Sequence, residues 1–159
     1  MDAIDRVIDQ LYDAALDSAA WSAAFASICE MMGGDHVIGL VRNAADSSFP
    51  FVGSARVDQT SVTRLCEVAP MGLAMIGVFP ERHAFDYDPV MPRAQMLRSD
   101  LFNEYIRPMG GYRALGVVPY RRDGLNSFLA ICRGEHAEDF NETDIATLDR
   151  IVPHVTRAL

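Results

Sequence analysis

The chain contains no lysine: all fourteen of its basic residues are arginine. This removes a lysine Schiff base and a P-loop lysine from the chemistry open to it. Cysteine is nearly as scarce. Cys29, Cys66 and Cys132 are odd in number, far apart and set among apolar neighbours, without CxxC spacing. That pattern points to buried free thiols in a reducing compartment rather than to a disulfide framework or a zinc site. Long hydrophobic runs are missing too. The stretch from Met1 to Arg6 is charged from the start and lacks the apolar core of a signal peptide. The longest apolar stretch, Met71 to Pro80, falls far short of the ~20 residues of a membrane span. The expectation is a cytoplasmic protein with no membrane partner. Positive charge is in deficit, with a net charge of −8 and no basic cluster, so these residues are poorly suited to holding nucleic-acid phosphates.

Motifs for catalysis and metal binding are equally thin. None of His36, His83, His136 and His154 has a second histidine three or four residues away, so no metal site is expected. His36 reads as structural, and His154 as a surface or seam residue. No Gly-x-Ser-x-Gly elbow occurs, and Cys132 reads as a small buried hydrophobe facing core or cavity. Asp86-Tyr87-Asp88 offers two carboxylates for a cation or a basic ligand group, although its proline and aromatic neighbours favour an Asx-turn loop. Gly33-Gly34 and Gly110-Gly111 lack the surroundings of a phosphate loop. The expectation is a non-enzyme without catalytic residues, metal or cofactor.

What is present is ordinary globular chemistry, half hydrophobic over 159 residues, which fits a single domain with one core. Ile4, Val7, Ile8, Leu11 and Ala15 recur at helical spacing. Asp17 or Ser18 then caps a second helix from about Ala19 to Met32 that buries Trp21, Phe25 and Ile28 and stops at Gly33-Gly34. Val37 to Val41 reads as a central strand and Phe49 to Val57 as its antiparallel partner across Asp46-Ser47-Ser48. A helix opens at Asp58 or Thr60 and is expected to stop at Pro70. Pro70 to Arg98 is expected to be irregular. Ser99 caps a helix through about Met109. Tyr112–Arg121 and Asn126–Arg133 form a hairpin around Asp123-Gly124, placing Phe128, Ala130 and Cys132 on one face and Leu129, Ile131 and Arg133 on the other. The last helix opens at Asn141 with Asp144 as its capping-box partner, and Ile145, Leu148, Val152, Val155 and Leu159 make a heptad-like seam. Hairpins without β-α-β alternation imply an α+β fold, an antiparallel sheet flanked by N- and C-terminal helices in a PAS/GAF-like architecture.

The irregular middle carries Met71, Met75, Met91 and Met96 together with Phe79, Phe85 and Tyr87. These fill core under a long loop or line an adaptable small-molecule pocket. Tyr105, Tyr112 and Tyr120 supply hydroxyls for orienting a ligand. The candidate ligand-binding set is therefore Phe79, Tyr87, Phe102, Tyr105, Tyr112, Tyr120 and Phe128, and the candidate dimerisation or signalling set is Ile145, Leu148, Val152 and Val155.

The stretch Ser99-Asp100-Leu101-Phe102-Asn103-Glu104-Tyr105-Ile106-Arg107-Pro108-Met109-Gly110 resembles a segment in the N-terminal sensory region of proteobacterial LuxR-type transcription regulators. Ile8 to Asp17 followed by Trp21 is similar to the opening of those proteins, and Val152-Pro153-His154-Val155-Thr156-Arg157-Ala158-Leu159 to their closing helix. The likeness spans nearly the whole chain. It implies a signal-sensing domain, 1–159, that binds a small molecule or forms a homodimer to control a C-terminal output. DNA would be reached only through a helix-turn-helix domain that this chain does not contain. The competing reading is a ligand-free docking or dimerisation module.

Overall fold

The structure is a computed structural model that describes residues 1–77, 79–89 and 91–159, the side chains of residues 69–76 aside. Helix α1, Ala3–Leu16, buries the stripe Ile4, Val7, Leu11 and Ala14, the spacing of one helical face. Asp17 ends it and accepts the Ala19 N–H at 3.0 Å. This opens a single 3-10 turn, Ser18–Ala20, that runs straight into α2, Trp21–Met31. Gly33, with φ +59°, turns the chain out of α2, a conformation that only glycine adopts without steric cost.

The strands are β1 (His36–Asn43), β2 (Phe51–Ala55), β3 (Phe85–Asp86), β4 (Arg113–Val117), β5 (Arg121–Arg122) and β6 (Leu125–Arg133). They form one antiparallel sheet in the order β2-β1-β6-β4-β3, with β5 paired to β6. Helix α3, Gln59–Ile76, the short α4, Arg93–Met96, and α5, Glu142–Ala158, complete the chain. The architecture is α+β, as the element order implied. Among the described residues no helix is long and apolar enough to cross a membrane.

Strand periodicity divides the sheet into two differently used faces. Val37, Leu115, Val117, Leu129 and Ile131 pack with α1, α2 and α5 into one hydrophobic core. The opposite face carries His36, Ile38 and Leu40 of β1 directly across from Cys132, Ala130 and Phe128 of β6. Helix α2 approaches the first face closely because glycine stands under its Phe25. The position a Cβ would take at Gly39 lies 2.6 Å from Phe25 Cζ, and at Gly53 it lies 2.7 Å from Phe25 Cε2.

Four sequence expectations need correction. Pro70 does not stop α3, which runs on to Ile76. A proline N has no hydrogen to give the carbonyl four residues earlier, yet a helix bears that loss when the rest of its ladder holds. β2 is shorter than expected because Arg56 takes φ +62° and turns the chain away. The segment after Ser99 is helical but not an α-helix throughout. The Ser99 hydroxyl accepts the Phe102 N–H, a π-type turn spans Phe102–Ile106, and a 3-10 turn at Arg107–Met109 accommodates Pro108. The long strand expected over Tyr112–Arg121 is broken. Register passes from Val117↔Leu129 to Arg121↔Asn126, so one extra residue beside Pro119 makes a bulge. Ser127 Oγ closes it by donating to Tyr120 O at 3.0 Å and accepting the Tyr120 N–H at 2.8 Å. The turn itself is as expected, with Asp123 at φ +53° and Gly124 at φ +76°, the geometry of a type I′ hairpin. The Asn141–Asp144 capping box is also present.

Because Phe25 is fully buried against β1 and β2, the ring has little room to yield. Gly39→Ala is expected to destabilise the fold by roughly 1–3 kcal/mol through overpacking. Urea denaturation followed by far-UV circular dichroism measures this, and an unchanged midpoint would show that the α2–sheet contact is looser than described.

Candidate functional site

The second face of the sheet is not packed solid. A cavity of about 160 Å³ lies over it. Its floor is His36, Ile38 and Leu40 from β1, Ala114 from β4, and Phe128, Ala130 and Cys132 from β6. Leu65 of α3 and Leu101, Ile106 and Met109 of the helical turns wall one side. The roof is Tyr87, Met91 and Met96, with Tyr112 at the strand entrance. Small residues keep the space open: Ala114, Ala130 and Cys132 fill one cross-strand patch of β4 and β6. Gly116 admits the aromatic cluster beside the cavity, since a Cβ there would lie 2.9 Å from the Phe85 ring.

Charge is confined to one edge. Arg93 pairs with Asp139 at 2.9 Å and with Asp88 at 3.4 Å, and Arg113 also pairs with Asp139. Both guanidinium groups lie beside the Tyr112 ring, at 5.7 and 4.9 Å from its centroid. The two arginines hold the Asp139 carboxyl below the usual carboxylate range. Asp139 is 62% exposed, and ion pairs of such exposure contribute only about 0–1 kcal/mol each. The edge is thus a weak tie between the roof and the loop that leads into α5. A second tie, from Ala84 just before the roof, reaches α5 itself, its N–H donating to Asp149 at 2.6 Å. The expected Asx turn is present, with the Asp88 N–H on Asp86 Oδ1 at 3.1 Å.

Inside, the polar groups are neutral. His36 is 1% exposed, and its Nε2 is buried without a hydrogen-bond partner. Burial lowers its pKa below the ordinary 6.5, with Asp35 opposing. Burial also pushes the Cys132 thiol up to about 12 and raises the Tyr87 phenol well above its ordinary value. A thiol held that high is not a nucleophile at neutral pH. Cys29 lies on the helix side, where its Sγ donates to Gly34 O at 3.1 Å. Among the described residues no three His, Cys, Asp or Glu side chains come together as a metal site.

The structure brings three of the seven candidate ligand residues, Tyr87, Tyr112 and Phe128, to the cavity wall. Phe79 stacks on Phe85 with centroids 3.5 Å apart, next to the cavity rather than on its lining. Phe102 is buried behind Tyr112, at 6.0 Å edge to face. Tyr105 lies under the Arg64 guanidinium at 5.8 Å, and Tyr120 under that of Arg122 at 4.7 Å. Met91 and Met96 line the cavity, whereas Met71 and Met75 fall among residues whose side chains are not described. Sequence reasoning missed His36, Arg93, Arg113 and Asp139.

The α5 seam faces inward. Leu148, Val152 and Val155 are fully buried in the core, with Ile145 packed at its rim. The start of α5 is pinned by Arg133, which meets both carboxylate oxygens of Asp144 at 3.3 Å and donates to Met32 O at 2.7 Å. It also covers the Phe140 ring at 3.9 Å.

No family model matches the chain, and no curated protein matches it. Solved structures do. The chain is similar to the LBD domain of VqsR from Pseudomonas aeruginosa, with a TM-score of 0.68 at 12% identity, covering 99% of this chain and 94% of that one. It is similar to the N-acylhomoserine lactone dependent LuxR-family transcription factor CepR2 from Burkholderia cenocepacia, with a TM-score of 0.64 at 12% identity, covering 99% and 93%. It is also similar to the phycoerythrobilin-bound GAF domain of a cyanobacterial phytochrome, with a TM-score of 0.59 at 15% identity, covering 99% and 94%. At such identities the likeness is one of fold, and the fold is GAF-like.

His36 makes stability depend on pH. Its folded pKa lies below the unfolded value, so as pH falls through about 6.5 the unfolded chain takes up the proton first. The contribution is complete above 6.5 and is lost from there toward the lower folded value. The melting temperature is expected to drop from pH 7.5 to about 5, with His36→Leu flattening that drop. An equal drop in both proteins would show that another group controls it.

Proposed function

We propose that this domain senses a small molecule and passes its presence to an output domain of a transcription regulator. The observation that carries the reading is the unfilled second face of the sheet. A domain whose only task is docking gains nothing from a void there, because each void forfeits packing contacts. The apolar walls, flexible methionines and few polar groups are those of a ligand pocket. CepR2, which depends on an N-acylhomoserine lactone, and the phytochrome domain, which holds phycoerythrobilin, show that this fold carries ligands in other proteins. The LuxR-type motif over Ser99–Gly110 supports transcriptional output, and it forms one wall of this cavity through Leu101, Ile106 and Met109. The free thiols, Cys29 and Cys132 buried and Cys66 half-buried, suit the cytoplasm.

The route from site to output runs through the roof. A ligand that favours one position of the roof side chains Tyr87, Met91 and Met96 changes the population of that position only by its differential affinity. The roof is bonded to residue 139 through Arg93, and Ala84, just before the roof, donates to residue 149. The first lies just before α5 and the second within it, so displacement of the roof loads the C-terminal helix. No catalytic step is assigned. A homodimer built on the heptad seam would have to open the core, because Leu148, Val152 and Val155 already face α1 and the sheet. Dimerisation, if part of the output, uses another surface.

A metabolite screen by thermal shift tests the proposal. A true ligand at about 100 times its Kd adds about 2.7 kcal/mol, a rise of roughly 5–10 °C for a chain of this size. Ala130→Phe, which fills the cavity from its floor, is expected to abolish that rise while leaving the helix-side core intact. No shift across the screen, together with native mass spectrometry showing only the bare chain, would contradict the proposal.

A further inference from the structure

We infer that the cavity takes an uncharged, mostly apolar molecule of about one ring, anchored by a single hydrogen bond to His36 Nε2, an inference that rests on the sensory reading above. The geometry comes first. His36 opens β1, is 1% exposed, lines the cavity and leaves Nε2 buried without a partner. A buried polar atom left in this way costs about as much as a lost hydrogen bond, so a ligand atom that meets it gains what the empty protein forgoes. Gly111 passes beside the His36 ring, a Cβ there falling 3.5 Å from His36 Cε1.

Size and charge narrow the class. An apolar cavity of about 150 Å³ holds benzene, and this one measures about 160 Å³. A tetrapyrrole is several times too large. The charged groups on the lining are Asp86, Asp88 and Asp139 against Arg93 and Arg113, an excess of one carboxylate. Both arginines are already engaged by Asp139, and Arg93 by Asp88 as well. The other unpartnered buried atom on the wall, Arg93 Nε, therefore adds a donor at the solvent edge without free positive charge. An anion finds no available cation and meets a carboxylate excess. His36 gives it none either, since burial keeps the ring neutral. A neutral imidazole serves a hydroxyl or a carbonyl equally, its tautomer following the partner.

Three probes of one ring and similar size separate the possibilities: benzyl alcohol, toluene and benzoate. Titrations followed by NMR would be run on the wild type and on His36→Leu, with the imidazole Nε2 signal read in the wild type. Benzyl alcohol is expected to bind best and to move the Nε2 resonance, which toluene leaves in place. His36→Leu should weaken benzyl alcohol about tenfold, the value of one neutral hydrogen bond at the strong end, and leave toluene within about twofold. The Nε2 resonance keeps the test decisive if the variant fails to fold. Equal binding of benzyl alcohol and toluene with an unmoved Nε2 signal would overturn the anchor while leaving the cavity as a ligand site. Tightest binding by benzoate would overturn the charge argument. Binding of none of the three would overturn the one-ring ligand class and its anchor, while the sensory reading falls only with the metabolite screen.

Discussion

The structure depends on one strand being buried on both sides. β6 pairs with β1, β4 and β5, and side chains alternate along it with period two. Leu129 and Ile131 enter the helix-side core, where both are fully buried. Phe128, Ala130 and Cys132 form the floor of the cavity. A slip of one residue would exchange the two sets, driving small residues into the core and large ones into the cavity. The bulge at Pro119 and the Asp123-Gly124 turn fix the register at one end of β6. At the other, Arg133 ties the strand to the end of α2 and the start of α5.

The charged chemistry is graded around that frame. Arg133 and Asp144 are mostly enclosed, at 12% and 19% exposure, and their paired geometry with extra carbonyl contacts makes a rigid joint. Arg93 and Asp139 sit at the solvent edge, where the same kind of pair holds only weakly. The strong joint anchors α5 to the sheet and the weak one closes the roof. An all-arginine inventory suits both uses, since the planar guanidinium pairs with carboxylates and also covers rings, as at Phe140 and Tyr112.

Much of the fold was legible because its signals are local. The α1 stripe, the Asp123-Gly124 turn, the Asn141–Asp144 box and the split of β6 into two faces all follow from neighbouring residues. β3 was not, since two residues carry no periodicity. Pro70 misled because proline's local preference lost to a helix long enough to absorb one missing hydrogen bond. The α5 steps of three and four residues are the same for an internal seam as for a coiled coil, and only α1 packed against it distinguishes them. At the site, Tyr87, Tyr112 and Phe128 were readable as aromatics near the sheet, but Tyr105 and Tyr120 look the same in sequence and stack under arginines instead. His36 was hidden because β1 is apolar on both faces, so its alternation carries no contrast. Arg93 and Asp139 stand 46 residues apart, beyond any local rule.

The central claim is that the second face of the sheet is a ligand site rather than a second core. An electron-density map of the protein as purified from cells tests it most directly. The account predicts density for a small molecule between the sheet and the side chains of Tyr87, Met91 and Met96, with one polar atom within hydrogen-bond distance of His36 Nε2. Roof side chains packed down onto Ile38, Ala130 and Cys132, with no space between, would contradict it.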